Sequence, residues 1–64
     1  MEGTIKKLLE DKRCGFITGR NGQDYFFHQS ALKNIEYADL EEGLDVTFED
    51  GEGIKGPRAE DIYV

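Results

Sequence analysis

A chain of 64 residues is long enough for one small domain, and 14 acidic against 8 basic residues give it a formal net charge of −6. This balance lacks the overall basic charge of a general nucleic-acid binder, and no apolar run is long enough to span a membrane. The single cysteine, Cys14, excludes an internal disulfide, and no secretory signal is visible. We therefore expect a reduced, cytoplasmic protein.

The charge is divided unevenly along the chain. Residues 1–32 carry a net charge of +1, and residues 33–64 carry −7. A surface that attracts phosphate would therefore have to be local, and the first half of the chain is the better place for it.

Glycines divide the chain into segments of strand length, which predicts an all-β fold. The pair Asn21-Gly22, flanked by apolar and aromatic residues, predicts a hairpin with a tight type I′ turn. The polar stretch that ends at Gly43 is long enough for one helical turn and a crossing loop. Five short antiparallel strands, which favour a small closed barrel, are expected near 3–9, 14–19, 23–28, 44–50 and 57–64.

Both faces of the predicted hairpin carry aromatic rings, although a barrel has only one interior. Because side chains alternate along a strand, we place one set outside, namely Phe16, Phe26 and His28, together with Cys14. Either these rings pack beneath the 33–43 loop, or they form a platform on which nucleobases stack, with lysines beside them. The expected interior residues are Ile5, Ile17, Tyr25, Phe27, Val46 and Ile62, and the lysines are Lys6, Lys7 and Lys12.

Two short motifs resemble those of the cold-shock domain family. The segment 12–17, Lys-Arg-Cys-Gly-Phe-Ile, resembles the first ribonucleoprotein-type motif, Lys-Gly-Phe-Gly-Phe-Ile, and 25–28, Tyr-Phe-Phe-His, resembles the second, Val-Phe-Val-His. Further matches near 2–3, 30–32, 40–43 and 55–59 extend the resemblance over essentially the whole chain. The resemblance implies that residues 1–64 form a single domain, a five-stranded Greek-key OB-fold barrel that binds single-stranded RNA or DNA.

The resemblance also implies which residues bind. Phe16, Phe26 and His28 match stacking residues, Lys12 matches a lysine that contacts the backbone, Tyr37 matches a loop aromatic and Lys55 matches a basic residue. With the two lysines of the first strand, the predicted nucleic-acid-binding set is Lys6, Lys7, Lys12, Phe16, Phe26, His28, Tyr37 and Lys55. We expect no enzymatic activity, cofactor, metal, small-molecule substrate or membrane partner, and we expect a monomer.

The chain departs from the family where four aromatic rings are replaced. Lys7 and Leu8 stand in place of tryptophan and phenylalanine, Cys14 in place of phenylalanine, and Gln29 in place of an aromatic residue; Arg13 replaces a glycine. Each stacked base is worth about 1–3 kcal/mol, so we expect binding weaker than is typical of the family. The alternative is a protein-interaction module on the same barrel, with nucleic-acid binding reduced or lost.

Overall fold

The structure is a computed structural model that describes the backbone of residues 1–53 and 56–64 and the side chains of residues 1–51 and 56–64. Short 3₁₀ turns at Glu10–Lys12, Gln29–Ala31 and Tyr37–Asp39 connect its strands. Within this described part of the chain, no helix has the length and apolar character needed to cross a membrane. The strands are β1 (Glu2–Leu9), β2 (Cys14–Gly19), β3 (Asp24–His28), β4 (Asp45–Gly53) and β5 (Gly56–Tyr63).

The five strands close into a barrel in the order β1-β2-β3-β5-β4. The predicted all-β barrel is therefore confirmed, with strand ends within three residues of those expected. One detail differs, because β3 and β5 run parallel, paired at Phe26 and Arg58, whereas the other ladders are antiparallel. The parallel contact arises because the chain crosses the barrel through the 29–44 segment before it forms β4 and β5.

The barrel interior contains the residues that strand alternation placed there. Ile17, Phe27 and Ile62 are completely buried, and the other predicted interior residues are 1–3% exposed. Burying a large apolar side chain contributes about 1.5–3 kcal/mol, so this cluster supplies the main stabilisation of a small domain. The core is completed by Tyr37, Leu40, Phe48 and Ala59.

The hairpin between β2 and β3 forms at the predicted place with a different turn. Gly22 has a φ of 83°, but Asn21 does not have the positive φ that a type I′ turn requires. The N–H of Gly22 donates to the carbonyl of Gly19, and the N–H of Gly19 donates to the carbonyl of Gln23. The connection is therefore a three-residue loop, in which a turn is followed by a left-handed glycine. The Asn21 side chain accepts from the Gln23 N–H and donates to the Tyr25 hydroxyl, which anchors the loop to the barrel.

Candidate nucleic-acid interface

Two phenylalanines lie side by side on the outer surface of the barrel. Phe16 on β2 pairs with Phe26 on β3, and their ring centroids are 5.8 Å apart in an edge-to-face arrangement. Both rings are half-buried, whereas Ile17 and Phe27, one residue further along each strand, are inside. The predicted outward orientation of Phe16 and Phe26 is therefore confirmed.

A basic residue stands at each end of this ring pair. Lys7 on β1 pairs with Phe16, and Arg58 on β5 pairs with Phe26. The four residues form a row across four strands, in the order Lys7, Phe16, Phe26, Arg58. We call this row, together with His28, the aromatic platform. Its cationic ends would face the phosphates or the base edges of a strand whose bases lie on the rings.

A bulge in β1 turns both lysines outward. The register with β2 shifts between Ile5 and Lys7, so Lys6 is an extra residue in the strand. As a result Ile5 and Leu8 face the barrel, while Lys6 and Lys7 are exposed. Leu8 therefore packs against the core, while Lys7 stands beside Phe16 at the end of the row.

His28 lies beside the phenylalanine row. It pairs with Cys14 and is half-buried, on the same face of β3 as Phe26. The Ser30 N–H donates to its Nδ1 at 3.3 Å, at the start of the second 3₁₀ turn. This contact orients the imidazole ring at the edge of the platform.

Tyr37 contacts Cys14 at the start of β2. Cys14 is on the outer face of the barrel wall, as alternation predicts, and it is buried there. The Tyr37 hydroxyl donates to the Cys14 carbonyl at 2.7 Å, and the Arg13 guanidinium lies 6.0 Å from the Tyr37 ring centroid. Burial, with the Cys14 thiol and Glu10 nearby, raises the pKa of Tyr37. In this arrangement the Tyr37 ring, 7% exposed, packs against the barrel instead of offering a face to a base.

Lys6 is held by an acidic residue at the edge of the platform. Its Nζ lies 2.6 Å from the Asp24 carboxylate, and the Thr18 hydroxyl donates to the same carboxylate at 2.9 Å. The hydrogen bond from Lys6, assisted by that from Thr18, lowers the pKa of Asp24. Lys6 is therefore partly neutralised where the sequence suggested a free cation.

The remaining basic residues fall into two groups. Arg20 pairs with Glu2 and Lys33 pairs with Asp61, both away from the platform. Lys55, predicted to bind nucleic acid, lies outside the described residues. Among residues whose side chains the structure describes, four basic groups form no ion pair, and all of them border the platform or the adjacent first 3₁₀ turn. They are Lys7, Lys12, Arg13 and Arg58.

Arg58 was absent from the predicted site. The sequence separates it from Phe26 by more than thirty residues, and only the parallel closure of β3 on β5 brings them together. The available signal was its place in the 55–59 segment that resembles the cold-shock family. That segment could mark β5 as relevant but could not say which ring Arg58 would reach.

Comparison with known proteins supports the resemblance of the two motifs. The family model for the 'Cold-shock' DNA-binding domain matches residues 1–64. The chain is 42% identical over 60 residues to cold shock protein 2 of Lactiplantibacillus plantarum, covering 94% of this chain and 91% of that protein. It is 44% identical over 61 residues to the major cold shock protein of Streptococcus pyogenes serotype M6, covering 95% and 91%. The chain belongs to the cold-shock domain family.

Proposed function

We propose that this chain binds single-stranded RNA or DNA without catalysis, as a monomeric cytoplasmic protein in which residues 1–64 act as one unit. Bases would stack on Phe16, Phe26 and His28, while Lys7 and Lys12 contact phosphates. The observation that carries the proposal is the row of two rings with a cation at each end. Every base offers a π-face, so such a platform accepts many sequences.

The position of the unpaired cations supports this proposal despite the negative total charge. Lys7, Lys12, Arg13 and Arg58 surround or adjoin the platform, whereas Arg20 and Lys33 are occupied by acidic partners elsewhere. Exposed charges more than about 10 Å apart are largely screened at 0.1 M salt. A phosphate at the platform would therefore respond mainly to these nearby cations.

A neighbouring row of side chains sets one limit of the proposed interface. Thr4 and Thr18 pair across β1 and β2, and each donates to a carboxylate at its end of the row, Asp45 and Asp24 respectively. Asp45 repels phosphates on that side of the rings, where Asp24 leaves Lys6 little net charge with which to attract them. We infer that the bound strand runs on the other side, past His28 and towards Lys12.

Binding should be weaker than is typical of the family because the platform has fewer rings. Lys7, Cys14 and Gln29 stand where the family has aromatic residues, and Tyr37 is packed against Cys14. At about 1–3 kcal/mol for each stacked base, these changes lower the affinity by orders of magnitude. The added cations recover part of this loss through phosphate contacts.

The direct test is titration of fluorescently labelled oligo-uridine and oligo-thymidine, followed by anisotropy at two salt concentrations. We expect binding that weakens about five- to 150-fold in Phe16→Ala, since one stacked base is lost. Tyr63→Ala is the matched control, because Tyr63 is an exposed ring on β5 that pairs with β4 away from the platform. Absence of binding to either probe by the folded native chain would overturn the proposal and favour the protein-interaction module.

A further inference from the structure

Arg58 is positioned by strand pairing beside the Phe26 ring. Its guanidinium carbon lies 6.0 Å from the ring centroid, at the outer limit of a cation–π contact. The ring therefore orients the guanidinium without holding it in close contact. Arg58 is exposed and, among the side chains that the structure describes, has no ion-pair partner. Its N–H donors are available to a ligand that stacks on Phe26.

The surroundings of Arg58 favour a neutral ligand group over a phosphate. Glu60 follows two residues later on β5, and its carboxylate lies directly over Gly51, the β4 partner of Arg58. Glu49 and Asp50 are also exposed on the adjacent part of β4. These carboxylates would repel a phosphate drawn towards Arg58, whereas the uncharged edge of a base would not be repelled.

The donor geometry of arginine distinguishes between bases. A guanidinium is a planar fork of N–H donors with no acceptor. On the edge that carries N7, guanine has two adjacent acceptors, O6 and N7, whereas adenine has a donor beside N7. Uracil has two carbonyls separated by an N–H donor, and an unpaired cytosine has the adjacent acceptors N3 and O2 on its Watson–Crick edge. Guanine therefore accepts both bonds of the fork, whereas adenine and uracil do not.

On the basis of the proposed function, we propose that Arg58 selects guanine over adenine and uracil at the nucleotide that stacks on Phe26, by donating two hydrogen bonds to O6 and N7. Phe26 supplies the stacking face and Arg58 reads the base edge. This gives the platform a base preference that stacking alone does not provide. A lysine at position 58 would keep the charge but lose the planar fork.

The test compares three labelled heptamers by anisotropy: uridine throughout, one central guanosine, and one central 7-deazaguanosine, which lacks the N7 acceptor. This length lies within the range of about 4–16 nucleotides that one OB fold covers. We expect the guanosine probe to bind about five- to tenfold more tightly than the other two. Arg58→Lys should lose the preference for guanosine, measured as the ratio of its affinities for the guanosine probe and for heptauridine. Arg20→Lys, a control at an exposed arginine paired with Glu2, should retain it.

The results separate this inference from the proposed function on which it rests. Binding of heptauridine with equal affinity for guanosine and 7-deazaguanosine would overturn the guanine inference and leave the binding function standing. A guanosine preference that survives in Arg58→Lys would also overturn it, since charge alone would then explain the effect. If the folded native chain bound none of the probes, the binding function would fail and the inference with it.

Discussion

Substitution of two neighbouring residues on β3 should separate loss of binding from loss of folding. The Phe27 ring is completely buried, so Phe27→Ala should cost about 3–5 kcal/mol. A domain of this size has a total stability of about 3–10 kcal/mol, so the loss is a large fraction of it. Phe26 is half-buried on the outer surface, and its edge-to-face contact with Phe16 is worth about 0.5–1.5 kcal/mol. Phe26→Ala should therefore remain folded and lose one stacked base, about 1–3 kcal/mol of binding.

Two measurements on each variant test this reasoning. Urea denaturation followed by circular dichroism should give a Phe26→Ala midpoint close to that of the native chain and a Phe27→Ala midpoint that is strongly lowered or absent. Anisotropy with labelled oligo-uridine should show binding by Phe26→Ala that is about five- to 150-fold weaker. A stable Phe27→Ala together with an unfolded Phe26→Ala would show that the faces of the hairpin are assigned the wrong way round. A folded Phe26→Ala with native affinity would show that this ring does not stack on a base.

Three further predictions concern charge and the missing rings. Raising the salt concentration should weaken oligonucleotide binding, with a slope of about −2 in a plot of log affinity against log salt concentration. Each phosphate contact on a single strand contributes about −0.7 to this slope, and we expect few contacts. A slope steeper than about −4 would contradict the assigned basic surface. Asp24→Asn should tighten binding about two- to fivefold by freeing Lys6, whereas Asp45→Asn, at the other end of the threonine row, should tighten it less because it frees no cation; equal effects in anisotropy would mean that only the net charge matters. Lys7→Trp should tighten binding by adding a ring beside Phe16, while Cys14→Phe should lower stability by about 1–3 kcal/mol because Cys14 is buried; thermal melting that leaves Cys14→Phe as stable as the native chain would contradict its close packing.

Strand alternation was sufficient to predict the barrel and most of its interior. From Gly15 to Gly19 and from Asp24 to His28, buried residues alternate with half-buried or exposed ones, so Ile17 and Phe27 could be assigned to the core and Phe16 and Phe26 to the surface. In β4 the alternation of acidic and apolar residues likewise allowed Val46 to be assigned to the barrel interior. These assignments depend only on the two-residue period of a strand, which is a local property of the chain.

Three features that sequence reasoning missed depend on contacts between distant segments. Cys14 is buried because Tyr37, 23 residues away, donates its hydroxyl to the Cys14 carbonyl. Arg58 reaches Phe26 because β5 closes the barrel in parallel with β3. The neutralisation of Lys6 required a bulge in β1 and a register with β2 and β3 that bring its Nζ to Asp24. No local period encodes these pairings.

At one edge of the platform, this chain has basic residues where the family motifs have an aromatic residue or glycine. Lys7 stands at the end of the ring row where the family has tryptophan, and Arg13 stands where the family has glycine. Arg13 has a φ of 54°, a left-handed conformation that costs a non-glycine residue roughly 1–2 kcal/mol. Arg13 therefore adds a cation beside Tyr37 at a local cost in conformational free energy. Because salt screens phosphate contacts much more than stacking, the affinity of this chain should fall faster with salt than that of a relative that retains the rings.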